Sequence, residues 1–362
     1  MVIGDNILIN LSKIGKNGTG LYVYSKSVVK YLAEYFGKLD VFVPKTVILD
    51  NDINVLPVPE WIAMTQGVSK IRPILWFIYC KFFSPATYSR SISTTHHLLP
   101  KIKRQIITVH DIRPYYFPDS IMQNIYFKYM LPRILKKVDG IITVSHATKN
   151  DIMQAYKIKL NHIHVVPNSI DVSRFKPARN KGEESYLLMV GATWKHKNAH
   201  ELIENYKLWV DKYTLKILAG HGKYKEYLKN RVDALGIYDK VEFMEYVDQE
   251  KLISLYQSAA ALIYPSIMEG FGIPPLEAMA CGTPVIVSNI AVFNEVYADV
   301  PIYVELGKEA SWERAFQLLE ESNLVQEKIS KGLIKAQEYT EDRMGKSLLC
   351  AVLSIWPELE GK

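Results

Sequence analysis

Short runs of β-branched and apolar residues recur along nearly the whole chain, and amphipathic stretches separate them. The runs fall at 6–10, 41–43, 105–109, 140–144 and 163–166, and then at 186–190, 215–219, 241–244, 261–264, 284–287 and 302–304. Between them lie helical patterns such as 21–36, 123–138, 200–210 and 249–260. Strand–helix alternation of this kind predicts parallel sheets covered by helices on both faces. A polar stretch at 167–184, carrying Pro177, Asn180 and Gly182, interrupts the rhythm, which then restarts. The chain has 362 residues, room for two domains. The reading is an α/β protein with an N-terminal domain over 1–177, a second over 178–340, and a last helix from 341 that follows the second sheet.

About half of the residues (48%) are hydrophobic and 23% are charged, so each half can bury a core and extended disorder is not expected. A net charge of +6 suits an anionic ligand or a membrane surface. Cys80, Cys281 and Cys350 are widely spaced and form neither a disulfide framework nor a metal motif, which predicts a reducing, cytoplasmic location. The start lacks the basic and apolar pattern of a signal peptide. The longest apolar run, 74–83, is interrupted by Lys81 and is too short to span a bilayer. Around it, 70–90 mixes Lys70, Arg72, Lys81 and Arg90 with Trp76, Phe77, Tyr79, Phe82 and Phe83. That composition fits an interfacial helix on an anionic membrane; it equally fits a buried helix of the first domain.

The most informative segment follows the strand at 261–264. It carries Glu269-Gly270-Phe271-Gly272-Ile273-Pro274-Pro275-Leu276-Glu277-Ala278-Met279-Ala280, then Gly282 and Pro284. Pro274 and Pro275 suit the first turn of a helix, where an amide proton is unpaired anyway. Gly282 suits its end. Gly270 and Gly272 let the backbone approach a ligand, and the amides of Phe271, Gly272 and Ile273, with the helix dipole, favour a phosphate. Glu277 can accept two hydrogen bonds from a vicinal diol such as a ribose.

This segment resembles the signature of retaining glycosyltransferases of family 4, which have the GT-B fold: two Rossmann-like domains whose parallel sheets face a central cleft. Two glutamates separated by seven residues, in a Glu-Gly-Phe-Gly-x-Pro, Glu-Ala-x-Ala, Gly-x-Pro pattern, are the hallmark, and Glu269 and Glu277 have that spacing. The resemblance implies that Glu269 contacts the donor sugar, Glu277 the nucleotide ribose, and the amides of Phe271 and Gly272 the sugar or phosphate oxygens. It picks Lys197, at the end of the loop after 186–190, to stabilise a leaving diphosphate. Ala192 stands where many relatives carry an arginine, so Lys195 is the candidate second cation. In the first half, Gly18 and Gly20 follow the first strand and are expected to touch the donor phosphates, and His110 to bond a sugar hydroxyl. Ser145, His146 and Asn168 also follow strands and are read as walls of the site. The resemblance also implies that 341–362 crosses back onto the first domain.

The expected activity is hexose transfer with retention from a nucleotide sugar, GDP-mannose by preference and a UDP-hexose next. The expected acceptor is a glycan or lipid-linked oligosaccharide of bacterial surface polysaccharide synthesis. A catalytically silent glycan-binding subunit, a sugar-nucleotide epimerase of the same fold and a dinucleotide-dependent oxidoreductase are the alternatives, the last opposed by an incomplete glycine fingerprint. No cofactor, no metal and no nucleic acid are expected. Asp50-Asn51-Asp52 is read as a polar turn rather than a metal motif, and His96-His97 as adjacent rings pointing in different directions.

Overall fold

The computed structural model describes residues 7–15, 20–49, 53–63, 72–83, 88–159, 161–178 and 185–361. The chain forms two compact units, Met1–Ser169 with Glu341–Lys362, and Ile170–Thr340. Gly18, the Asp50–Asp52 turn, Lys70 and the 179–184 part of the expected linker lie outside the described residues.

The first unit holds a parallel sheet of seven strands: β1 (Ile7–Asn10), β2 (Leu39–Pro44), β3 (Ile53–Val58), β4 (Arg90–Ser93), β5 (Arg104–Val109), β6 (Gly140–Thr143) and β7 (Ile163–Val165). Its order is β3-β2-β1-β4-β5-β6-β7. The second unit holds six more parallel strands: β8 (Tyr186–Val190), β9 (Thr214–Leu218), β10 (Val241–Met244), β11 (Ala261–Tyr264), β12 (Val285–Ser288) and β13 (Ile302–Val304), in the order β10-β9-β8-β11-β12-β13. In each sheet the chain winds outward in one direction, returns to the middle and winds outward in the other. That reversal leaves a crevice beyond the carboxyl ends of the two central strands, where α/β folds bind ligands. It falls between β1 and β4 in the first unit and between β8 and β11 in the second.

Two strands depart from the sequence reading. β3 is an edge strand, half exposed and interrupted by Pro57, tolerable only where no neighbour needs the missing amide. β4 has a single aliphatic residue, Ile92, yet all four of its residues are buried. Two of its side chains find distant partners: Ser91 Oγ donates to Gln105 Oε1 at 3.1 Å, and Arg90 Nη2 donates to Glu358 Oε1 at 2.7 Å. A central strand of polar residues has no periodicity to betray it.

The helix Gly20–Phe36 buries Tyr24, Val28, Val29 and Leu32 against the first sheet. The last helix, Glu341–Ile355, adds Met344, Leu348 and Val352 to the same core. The two helices approach so closely that a Cβ on Gly345 would fall within the Tyr31 ring, so only glycine fits there. Glu341 caps the contact, accepting from Ser27 Oγ at 3.1 Å.

The sequence reading put the domain boundary at 177/178, whereas the units divide between Ser169 and Ile170. The reason is that 170–177 packs on the second unit. Ile170 bridges to Thr340, the Phe175 ring meets Tyr256, and Lys176 O accepts from Gln257 at 2.7 Å.

The expected helix over 123–138 starts earlier and changes pitch: Ile121–Ile125, a π turn at Tyr126–Met130, then Leu131–Leu135. Pro132 has no amide to continue the regular ladder, and Leu131 N reaches back to Tyr126 O instead. In the expected interfacial stretch, Arg72–Phe83 is helical, with Trp76 and Cys80 buried and Phe77, Ile78 and Phe82 exposed. Among the described residues no helix is long and apolar enough to cross a membrane.

Candidate active site

The crevice of the second unit is built from the loops after β8 and β11. Leaving β8, Gly191 takes φ 76°, a single 3-10 turn follows at Lys195–Lys197, and Asn198 takes the left-handed conformation (φ 58°) that opens the next helix. This turn aims Lys197 inward and leaves Lys195 exposed. Leaving β11, the chain passes Ser266 and Glu269 to Gly272 and enters the helix Ile273–Ala280. Ile267 N donates to His196 O at 2.8 Å, which fastens the two loops together.

Lys197 and Glu269 meet there. Lys197 Nζ lies 2.5 Å from Glu269 Oε1 and 2.7 Å from the Tyr264 hydroxyl, and both charged side chains are under one-fifth exposed. Ser266 Oγ donates to the same carboxylate oxygen at 2.7 Å. Burial pushes the Glu269 pKa up, but the Lys197 charge and the hydrogen bonds from Lys197 and Ser266 outweigh it and hold the carboxyl below its ordinary value. Burial and the neighbouring Glu269 carboxylate drive the Tyr264 hydroxyl well above its own, so it stays neutral.

Glu277 is handled differently. It stands on the Ile273–Ala280 helix, and Tyr256 donates to its Oε2 at 2.8 Å. Burial raises its pKa to about 7, against the hydrogen bond from Tyr256. Two glutamates separated by seven residues are thus set in different states near neutrality: one ionised beside a lysine, the other poised to gain or lose a proton.

The helix start is held open by glycine. Gly272 has φ 94°, and a Cβ there would collide with the Tyr297 hydroxyl and the Phe293 ring. Tyr297 donates to Gly272 O and so fixes the turn. Pro274 and Pro275 offer no amides, and the amides of Phe271, Gly272 and Ile273 have no acceptor among the described residues. With the helix dipole they form an anion site of the kind that binds phosphate. Gly270, in the preceding turn, is buried.

Lys197, Glu269, Glu277 and the helix-start amides therefore share one crevice. Lys195 is exposed and within electrostatic reach of His200. Ala192 is fully buried in the core and its amide bonds Leu218 O, so no cation comes from that position. The sequence reading missed Tyr256, Tyr264, Ser266 and Tyr297. Tyr264 and Ser266 flank the motif and could have been marked as its neighbours; nothing local distinguishes Tyr256 or Tyr297 from core aromatics.

The crevice of the first unit carries the other candidates. His110, after β5, bonds Thr94 O through Nε2 at 2.9 Å and meets the Tyr24 ring edge-on at 4.7 Å. Burial lowers its pKa, so the imidazole is neutral. Gly20 is the first residue of the Gly20–Phe36 helix. Ser145 caps the helix His146–Tyr156 by accepting from Thr148 N at 3.0 Å, a structural duty. Asn168 is buried, and its Oδ1 has no hydrogen-bond partner among the described residues. His96 and His97 do not point apart, as adjacent side chains ordinarily do. Their rings lie 4.2 Å apart because Trp76 and Tyr126 pack around them. Among the described residues no group of three or more His, Cys, Asp or Glu is arranged to hold a metal.

Two parallel sheets, each with a carboxyl-edge crevice, and a buried Lys–Glu pair beside a helix start suited to an anion define a doubly wound, two-unit α/β architecture. Comparison with known proteins identifies it. Residues 170–336 match the Glycosyl transferases group 1 model and 85–174 the Glycosyltransferase Family 4 model. The chain is 40% identical over 324 residues to O-antigen chain mannosyltransferase RfbU of Salmonella typhimurium, covering 87% of this chain and 91% of that protein. O-antigen chain mannosyltransferase B of Escherichia coli is 26% identical over 67% of this chain and 68% of its own. Sucrose-phosphate synthase from Thermosynechococcus elongatus shares the fold with a TM-score of 0.78 at 17% identity, covering 97% of this chain and 99% of that one. Anabaena HepE in complex with UDP-glucose does so at 0.76 and 16%, covering 96% and 99%. The chain belongs to the group 1 glycosyltransferases; it is a hexosyltransferase with the GT-B fold.

Proposed function

We propose that the chain transfers mannose from GDP-mannose, with retention of configuration, to a glycan or lipid-linked oligosaccharide during bacterial surface polysaccharide synthesis in the cytoplasm. The observation that carries the reading is the Lys197–Glu269 pair beside the open amides of the Ile273–Ala280 helix. An ammonium and a row of amides favour the charge that grows on a departing diphosphate. Glu269 orients the sugar hydroxyls, Glu277 accepts from the ribose diol, and His110 supplies a neutral hydrogen-bonding group to the sugar. The acceptor hydroxyl attacks the anomeric carbon on the face from which the diphosphate leaves. The carbon–oxygen bond to the diphosphate breaks, and a departing phosphate oxygen takes the acceptor proton. No enzyme nucleophile, cofactor or metal enters this scheme. Mannose is favoured because two relatives that align over two thirds or more of the chain are mannosyltransferases by name.

A thermal-shift series with GDP-mannose, UDP-glucose and the free nucleoside diphosphates tests the donor. A larger shift with UDP-glucose than with GDP-mannose would replace mannose by a UDP-hexose, the donor held by the HepE neighbour. Release of nucleoside diphosphate from neither donor would point to a silent glycan-binding subunit. The anomeric configuration of the product, read by NMR, tests retention.

A further inference from the structure

The first unit exposes an unusual amount of apolar surface in one place. On the helical run from Ile121 to Leu135, Ile121, Met122, Ile125, Tyr129 and Met130 are all exposed, Ile121 by 80% and Tyr129 by 59%. They recur at helical spacing, one stripe carried across the π turn, while Phe127, Leu131 and Leu135 on the other side are buried. Tyr116 and Phe117, just before, are exposed as well. Scattered exposed apolar side chains are ordinary on a folded protein; a contiguous stripe of this length marks a docking surface.

The charge around the stripe says what docks. Between residues 120 and 138 there are four cations, Lys128, Arg133, Lys136 and Lys137, and no carboxylate. All four are exposed. An apolar helical stripe bordered by cations, with the flanking carboxylates Asp119 and Asp139 tied to Arg113 and Arg104, is the pattern of a helix lying in the headgroup region of an anionic bilayer, apolar side chains inserted and cations at the phosphates. From these residues we infer that the Ile121–Leu135 helix, and not chiefly the Arg72–Phe83 helix that composition singled out, seats this protein on anionic lipid. The two helices are neighbours, since Trp76 of one and Tyr126 of the other pack on the same His97 ring. The Arg72–Phe83 helix, however, turns Trp76 and Cys80 into the core, and the apolar side chains described as exposed on it are Phe77, Ile78 and Phe82. This inference goes beyond sugar transfer and needs no donor to operate.

Co-sedimentation of the full chain tests it, using vesicles of phosphatidylglycerol with phosphatidylethanolamine and vesicles of phosphatidylcholine alone. The protein should bind the anionic vesicles and release them as salt is raised. Combined Ile121→Ser, Ile125→Ser and Tyr129→Ser should weaken that binding roughly tenfold or more, and Lys136→Glu with Lys137→Glu should weaken it at low salt. All five side chains are exposed, so melting temperature and nucleoside diphosphate affinity should stay unchanged; a loss of either would instead bear on the fold or on the donor reading. Unchanged vesicle binding in the Ser variant, or binding lost only in Phe77→Ser with Phe82→Ser, would overturn the assignment. So would a chain that ignores anionic vesicles but self-associates through the stripe, with scattering showing a dimer that the Ser variant abolishes.

Discussion

The two units solve the same topological problem and line the result with different chemistry. At the β8/β11 crevice the polar groups are charged and paired: Lys197 with Glu269, Glu277 with Tyr256, and a row of open amides at a helix start. At the β1/β4 crevice those among the described residues are mostly neutral. Asn10 bonds Ser93 and Ser12, His110 bonds a backbone carbonyl, and burial lowers the His96 pKa to about 3. Lys13 sits over the Trp76 ring at 4.4 Å, and burial lowers its pKa to about 8. A charged edge suits an anionic leaving group, and a neutral edge with aromatic rings suits a polyol. The fold supplies the crevice; the residues at the strand ends decide what it binds.

Lys197→Ala is the strongest way to break that contrast. Turnover should fall roughly a hundredfold or more, the scale of losing one electrostatic stabiliser of the transition state. The folded state should also lose about 3 kcal/mol, because Glu269 would be left buried without its counter-charge. Steady-state kinetics and denaturant unfolding separate the two effects. Turnover kept, with only a raised Michaelis constant, would move the role to Lys195.

Glu277→Ala should weaken nucleoside diphosphate binding by about 1–3 kcal/mol, since the ribose hydroxyls lose their acceptor. Calorimetry reads this directly, and unchanged affinity would remove Glu277 from the ribose. His110→Ala sharpens the comparison from the other side. It should lower turnover about tenfold, the low end for a lost sugar contact, while leaving nucleoside diphosphate affinity as it was. A drop in that affinity instead would make the two edges alike.

The smallest expected effect concerns protons. The Glu277 pKa is raised above its unfolded value, so its contribution to stability is complete below the ordinary carboxylate range and is lost as pH rises through about 7. Nucleotide binding runs the opposite way, because the ionised carboxylate is the better acceptor for the diol. Affinity for the nucleoside diphosphate should therefore climb several-fold between about pH 6 and pH 8. Tyr256 holds the Glu277 pKa down, so Tyr256→Phe should move that rise to higher pH while Glu277→Gln flattens it. A flat profile in the parent protein would deny Glu277 its titration.

Some of this protein was legible in the chain alone. Alternating strand and helix periods carry the two α/β units, because the periods are local properties of ten or so neighbouring residues. The Glu269–Glu277 segment was legible for the same reason: glycine where φ must be positive, proline where a helix amide is idle, and a carboxylate on either side. Lys197 was legible through its place after a strand. The partners were not. Tyr264 and Glu269 reach Lys197 across 67 and 72 residues, and Tyr256 reaches Glu277 across 21. Those meetings exist only because the chain reverses at β8 and β11. Polar β4 is a strand because Gln105 and Glu358 arrive to bond Ser91 and Arg90. Likewise, the stripe from Ile121 to Met130 is apolar in the sequence and became a surface only once the other side of its helix was buried. Sequence determined which residue types stand at each strand end; tertiary structure decided which charges are paired, which carboxyl keeps its proton and which apolar face is left to the outside.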